Sequence, residues 1–288
     1  FSTAKIKMKD AAVSVSGTSV IVKKITLPDM ETKELAESIQ WEAEQYIPFD
    51  IEDVNLDFQI LNRGVGDGSE MEVILVAVKK DKIHDYTGLV AQAGLEAKLV
   101  DVDGFALSNQ YEANYPFEQG EVVALIDMGA GVMNINILQD GNHILYRDIS
   151  LGGNQFTDAI QKELNVSYDQ AEALKKGEEI EGINPSDVTD IINSVIEDMS
   201  MEIQRSFDYF RATTSSENVD KVVLTGGCSK IQGIESFLAS KLGTKIEIGN
   251  PFRNVAYNEK KFDSAWLQDM APLCAIAVGL AIRKVGDK

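Results

Sequence analysis

The segment 121-EVVALIDMGAGVMNINI-137 carries the signal from which the rest of this chain is read. Val122 to Ile126 is apolar throughout, the pattern of a strand covered on both faces. Asp127 stands at its end, and Gly129, Ala130 and Gly131 reverse the chain. A second strand follows, in which Val132, Asn134 and Asn136 alternate with Met133, Ile135 and Ile137. Glycines let the backbone turn where side chains would clash, and they leave N–H groups exposed to an anion. An acid beside such a loop suits a hydrated Mg²⁺ bound to phosphate, because Mg²⁺ takes one or two carboxylates and fills its shell with water and phosphate oxygens. The same residues also satisfy an ordinary β-hairpin with Asp-x-Gly turn chemistry. Both readings stand on this segment alone.

Composition narrows the surroundings. At 288 residues the chain has room for two domains, and its 44% hydrophobic and 25% charged residues are those of a globular protein. A net charge of −19 opposes nucleic acid or an anionic membrane over most of the surface, although loop amides and Mg²⁺ handle a nucleotide phosphate locally. Cys228 and Cys274 lack metal or disulfide spacing and fit a reducing cytosol. The longest apolar run, Ala271 to Ile282, reads as too short to span a bilayer. No signal peptide is recognised, and a chain that opens on Phe1 is expected to be part of a longer product.

Outward from the central hairpin, strands alternate with helices, which argues α/β. Residues 11–27 read as two strands around Ser16-Gly17-Thr18, a hairpin without an acid and therefore structural. Pro28 and Asp29 are expected to open a helix to about Tyr46, with Leu35, Ile39 and Ala43 on one face. Val54 to Leu61 and Met71 to Val78 read as strands around an exposed turn, Arg63 to Glu70. A helix His84 to Ala93, a strand Glu96 to Val102 and a helix Gly104 to Tyr115 complete the upstream part. Downstream come a strand Asn142 to Ile149, a helix Asn154 to Leu164 and a small acidic insertion over 166–185. A long helix, about Ser186 to Thr213, places Ile191, Val195, Met199, Ile203 and Phe207 on one core-facing stripe. A strand Lys221 to Thr225, a helix Ile231 to Leu242, a short strand over 244–249 and a closing helix Pro272 to Lys284 follow.

Three glycine-rich stations thus follow strands: Asp127-Met-Gly-Ala-Gly131, Leu151-Gly-Gly-Asn154 and Leu224-Thr-Gly-Gly-Cys-Ser229. With these stations the chain resembles the actin-like ATPase superfamily, the first as its second phosphate loop and the last as its adenosine loop. Met270 to Arg283 resembles its closing connecting helix. Four further stretches are similar to the PilM family of type IV pilus assembly proteins, with the FtsA division proteins next. They are WEAEQYIPFDIEDVNLDFQIL (Trp41 to Leu61), EVILVAVKK (Glu72 to Lys80), LVDVDGFAL (Leu99 to Leu107) and EIQRSFDYFRA (Glu202 to Ala212). The resemblance covers essentially the whole chain. It implies an α/β, actin-like (ribonuclease H-like) two-domain ATPase fold with an FtsA-type inserted subdomain. The first domain would comprise 1–16, 95–118 and 271–288, and the insertion 17–94. The second would comprise 119–165 and 219–270, with 166–218 as its outer subdomain.

The resemblance also implies roles. Asp127 would hold Mg²⁺ through water, with Gly129, Ala130 and Gly131 near the β- and γ-phosphates of ATP or ADP. Gly152 and Gly153 would close the phosphate side, and Gly226, Gly227 and Ser229 would pass ribose and α-phosphate. Glu202 and Arg205, one helical turn apart, would contact ribose and adenine; the alternative is a solvated ion pair. His84 and His143 receive no role. The family pattern includes an earlier hairpin of the form GLDIG with its own acid, and none precedes Asp127. The first three strands of the first domain are therefore expected to be missing, which puts nucleotide binding by this form in question.

By resemblance the chain is expected to be a cytoplasmic ATP-binding scaffold of the pilus inner-membrane platform. It would bind the N-terminal cytoplasmic tail of PilN, connect to other platform proteins and motor ATPases, and possess at most weak ATPase activity. Nucleotide is expected to bias a hinge between the two halves. A homo-oligomer is compatible with this; nucleic acid binding and direct membrane insertion are not expected. The alternatives are an FtsA-like filament-forming division protein or a turning-over kinase, the latter lacking an evident substrate acid or base.

Overall fold

The structure, a computed structural model, describes residues 6–65, 67–214, 218–258 and 260–287. The chain divides into two units: one runs to Ala106 and takes in the segment from Leu280 onward, and the other is Leu107–Gly279.

The first unit begins with β1 (Asp10–Val15) and β2 (Val20–Pro28), followed by α1 (Thr32–Glu44), β3 (Val54–Val65), β4 (Glu70–Lys79), α2 (Lys80–Gln92) and β5 (Glu96–Val102). The strands flanking Ser16-Gly17-Thr18 do not form the expected hairpin. β1 pairs in parallel with β5, whereas β2 joins an antiparallel sheet ordered β2-β4-β3. Leu35, Ile39 and Ala43 do face inward at helical spacing, onto Met71, Val73, Leu75 and Ala77 of β4.

Pro28 corrects the expected start of α1. It ends edge strand β2, a position where its missing N–H costs nothing. The next residues stay extended because the Asp29 N–H donates to Ser69 O at 2.8 Å. Arg63 also pairs with the Asp29 carboxylate and donates to Met30 O at 2.7 Å.

The helix α3 (Asp103–Asn114) leads into the second unit. There follow β6 (Val122–Met128), β7 (Met133–Gln139), β8 (Asn142–Ile149), α4 (Gly153–Leu164), α5 (Tyr168–Lys175) and α6 (Pro185–Thr213). Then come β9 (Lys221–Thr225), a 3₁₀ turn Gly227–Lys230, α7 (Ile234–Leu242), β10 (Lys245–Ile248), α8 (Ser264–Met270), a 3₁₀ turn Ala271–Cys274 and α9 (Ala275–Ala281). The sheet order is β10-β9-β6-β7-β8; β6, β9 and β10 are parallel, and β7 and β8 return antiparallel. β6 is central and buried on both sides, which explains its unbroken apolar run. Ala124, Ile126 and Met128 face α4 and α6 through Phe156, Ile196, Met199 and Ile203. Val123 and Leu125 face Leu107, Tyr111 and Tyr115 of the α3 region and Ala275 of α9.

The closing helix differs from expectation. Expected over Pro272 to Lys284, it begins as the 3₁₀ turn Ala271–Cys274, where the Pro272 carbonyl accepts the Gly226 N–H at 2.9 Å, and is α-helical only over Ala275–Ala281. Among the described residues one helical run, Ser264–Ala281, is long and apolar enough to cross a membrane by length and composition, longer than the apolar run read from sequence. Its Leu267, Ala271 and Ala275 are nonetheless buried in the protein.

Candidate functional site

The first station begins at the carboxyl end of β6, where Asp127 is buried with 8% of its surface exposed. A buried carboxylate needs partners, and the Thr225 hydroxyl on the neighbouring β9 donates to its Oδ1 at 2.7 Å. Asn134 lies opposite Asp127 across β6 and β7, and Asp148 lies opposite Asn134 across β7 and β8. Asn134 Nδ2 donates to Asp148 Oδ1 at 2.5 Å. A polar row, Thr225–Asp127–Asn134–Asp148, therefore crosses four strands at one level. The alternation in β7 flags Asn134, but only the strand register brings Thr225 and Asp148 alongside.

The three glycine-rich stations converge. Gly129 N–H closes the hairpin on Val132 O at 3.0 Å. At the start of α4, Gly153 N–H donates to Gly129 O at 2.9 Å and Asn154 N–H to Ala130 O at 2.8 Å. These amides, which at a free helix terminus would meet an anion, are occupied by the hairpin. A Cβ on Gly152 would fall 2.5 Å from Gly129 O and 2.6 Å from Ala130 O. Gly226 has φ +83, and its Cβ would fall 2.5 Å from Met128 O. Both glycines are thus required by loop-on-loop packing. By contrast Ala130, Gly131 and Gly227 are exposed, and beside Gly227 a Cβ would meet nothing within 4 Å. Those are the positions open to close approach of a ligand.

Two side chains bind the stations together. Cys228 Sγ lies 3.3 Å from Gly129 O as a donor. Burial pushes this thiol up to about 11, with Lys175 opposing and Asp127 and Glu172 reinforcing the shift, so it carries the proton it donates. Lys175 of α5 donates to Gly153 O at 3.2 Å, to Thr157 Oγ1 at 2.8 Å and to the Glu172 carboxylate. Burial disfavours ionised Glu172, but hydrogen bonds from Lys175 and Thr157 prevail and lower its pKa. The sequence places Lys175 inside an acidic stretch, so nothing local singles it out. Ser229 is turned inward, its hydroxyl donating to Gly226 O at 2.7 Å.

Glu202 and Arg205 lie on α6 and pair with each other; Arg205 is largely exposed and Glu202 about a quarter. Behind them Arg147 donates to Ser206 Oγ at 3.0 Å, and Ser206 donates to Glu202 O at 3.0 Å. Among the described residues no group of three or more His, Cys, Asp or Glu could enclose a metal ion. Asp127 offers a single carboxylate, a donor set compatible with a cation that fills the rest of its shell with water and phosphate oxygens, as Mg²⁺ does.

An α/β unit with this sheet order, an acid at the end of its central strand and three glycine loops around it defines an actin-like ATPase fold. The chain belongs to the family of type IV pilus assembly protein PilM, whose family model matches residues 1–285. A solved structure of the PilM-PilN type IV pilus biogenesis complex is 32% identical with a TM-score of 0.87, covering 99% of this chain and 82% of that one. Cell division protein FtsA of Bacillus subtilis (strain 168) is 26% identical over 204 residues, 63% of this chain and 45% of FtsA. The chain thus spans a little under half the length of the curated relatives it matches. MreB5 of Spiroplasma citri, solved bound to AMPPNP, shares the fold at 15% identity and a TM-score of 0.50, over 71% of this chain and 64% of that one.

Proposed function

We propose that the protein is a cytoplasmic ATP-binding scaffold of the type IV pilus inner-membrane platform that binds the N-terminal tail of PilN. Family membership supports a role in pilus assembly, and the convergence of three glycine loops beside Asp127 is the observation that carries the nucleotide reading. In this reading Asp127 holds Mg²⁺ through water. Ala130, Gly131 and Gly227 give the nucleotide its close backbone approach. Gly129, Gly152, Gly153, Gly226 and Ser229 shape the loops, and Glu202 and Arg205 contact ribose and adenine. Mg²⁺ supplies charge neutralisation at the phosphates; hydrolysis, if measured, is slow.

The three-stranded sheet with α1 has its own apolar core and lies within 17–94, which supports reading that segment as the inserted subdomain. Segments 1–16, 95–118 and 271–288 then make the first actin-like domain, 119–165 with 219–270 the second, and 166–218 its outer subdomain. Beside β3, an edge strand of its sheet among the described residues, is a concavity of about 390 Å³ whose lining includes Ala36, Ile39, Gln40, Asn55 and Leu56. An extended peptide tail docks on such an edge through main-chain bonds, with side chains in the groove. We place the PilN tail there.

Calorimetric titration with a peptide of that tail, with and without Mg-ATP, tests the reading. Saturable binding of peptide and of nucleotide is expected. Ala36→Trp, which fills the groove from an exposed helical position, is expected to weaken peptide binding by at least about tenfold and to leave nucleotide affinity unchanged. The reading fails if neither ligand binds. The FtsA matches make a filament-forming division protein the second reading; polymer formation with nucleotide, seen by sedimentation, would favour it.

A further inference from the structure

We propose that Lys175 is a positioning residue that holds the start of α4 against the Asp127 hairpin and so couples the packing of α5 to phosphate binding. The inference rests on the nucleotide reading above. A primary ammonium has three N–H donors, and here it meets three acceptors: Gly153 O, Thr157 Oγ1 and the Glu172 carboxylate. Only 13% of the Lys175 side chain is exposed, so these contacts replace most of its hydration. Being fully engaged, it acts through Gly153 and not as a phosphate ligand.

Gly153 is gripped at both ends. Its carbonyl accepts from Lys175, while its N–H donates to Gly129 O, the same oxygen that Cys228 Sγ approaches at 3.3 Å. A continuous path therefore runs from α5 through Lys175 and Gly153 to the hairpin and on to the third station. On its apolar side α5 packs Ala171 and Leu174 with Ile160 of α4 and Val188 and Ile191 of α6. Its buried members differ from those on the central sheet, and Ile192 of α6 packs against both clusters. To this apolar packing Lys175 adds a polar clamp from α5 to the phosphate loops, and a shift of α5 pulls on the Gly153 carbonyl.

The test uses the whole chain and the variants Lys175→Met, Lys175→Arg and Thr157→Val. In the absence of ligand, hydrogen exchange at the Gly153 and Asn154 amides is expected to accelerate about tenfold in Lys175→Met, as local opening becomes easier. Mg-ADP affinity is expected to fall by roughly five- to tenfold, within the usual range of a coupling carried by one network. Lys175→Arg keeps the charge and restores part of both. Should Lys175→Met fail to fold, Thr157→Val, which removes one acceptor at constant volume, carries the same two measurements with smaller changes.

Unchanged exchange at Gly153 and Asn154 overturns the clamp. Faster exchange with unaltered nucleotide affinity, or with no rescue by arginine, reduces Lys175 to a packing residue and overturns the coupling. If the unsubstituted chain binds no nucleotide, the nucleotide reading falls with the coupling, while exchange still decides whether the clamp exists.

Discussion

A methyl group added at Gly152 would sit 2.5 Å from Gly129 O, a distance that forces one of two backbones to move. Gly152→Ala is therefore expected to destabilise the protein by about 1–3 kcal/mol, the range of strained, overpacked sites, as measured by urea unfolding. Gly227→Ala faces open space and is expected to change stability by under about 0.5 kcal/mol while weakening Mg-ADP binding. Equal stability losses at both positions would refute this division. In sequence the two glycines look alike, because each stands in a strand–loop–helix context. What separates them is which backbone passes overhead, and that depends on contacts between segments far apart in the chain.

His143 gives a second prediction at this scale. Its ring lies between Asn136 Oδ1 at 3.0 Å and Ser108 Oγ at 3.2 Å. Asn136 Oδ1 only accepts, so the neutral ring carries its proton on Nδ1 and Nε2 accepts from Ser108. Burial lowers the pKa from 6.5 to about 4. Between those values the unfolded state binds the extra proton, so stability falls as pH drops from 6.5 towards 4, by at most about 3 kcal/mol. Partial exposure of the side chain reduces that limit. In His143→Gln the decline above pH 4.5 is expected to flatten. A decline that persists unchanged would assign it to other groups; the lowered carboxylates Glu72 and Glu172 act below 4.5.

At the scale of elements, α6 was the most legible. Its apolar spacing gives a long helix, and Ile191, Met199, Ile203 and Phe207 are buried as expected, with Val195 half-buried. Ile196, Ser206 and Phe210 join them, because a strict i+4 row drifts around a 3.6-residue helix while the sheet below does not. Phe210→Ala is expected to cost about 3–5 kcal/mol, whereas Tyr209→Ala, on the exposed side, is expected to cost less than about 0.5. Thermal or urea unfolding decides; similar losses would place both in the core. The boundary at Pro272 was legible, but α8 before it and the 3₁₀ turn Ala271–Cys274 that joins α8 to α9 were not. There the Pro272 carbonyl accepts the N–H of Gly226, forty-odd residues earlier in the chain, a bond that the local sequence does not announce. The start of α1 was displaced for a similar reason, by Arg63 and Ser69 holding Asp29 extended.

At the scale of the molecule, a net charge of −19 makes self-repulsion a general term in stability. Salt screens it, with a Debye length of about 10 Å at 0.1 M. Raising NaCl from 0.05 to 0.5 M is expected to increase unfolding free energy by about 1 kcal/mol; a decrease would mean that local ion pairs outweigh the global term. Alternating strands and helices made the α/β class readable. The glycine stations supplied the actin-like superfamily, and the four stretches Trp41–Leu61, Glu72–Lys80, Leu99–Leu107 and Glu202–Ala212 supplied the PilM family, which the match over residues 1–285 establishes. The assignment of strands to sheets was not readable around Ser16-Gly17-Thr18. Two short apolar strands beside a turn satisfy a hairpin and a crossing between sheets equally well, and only β4 and β5 decide between them.

One oxygen, that of Gly129, receives both Gly153 N–H and the Cys228 thiol, and the Met128 carbonyl one residue earlier lies against Gly226. Loops that share a hinge-pin of this kind cannot be exchanged singly. A chimaera that imports the hairpin alone from a distant relative is expected to misfold, whereas one importing all three loops keeps its mutual fit. Relatives that alter one loop are expected to carry compensating changes in the other two, although nearly a hundred positions separate the first from the last.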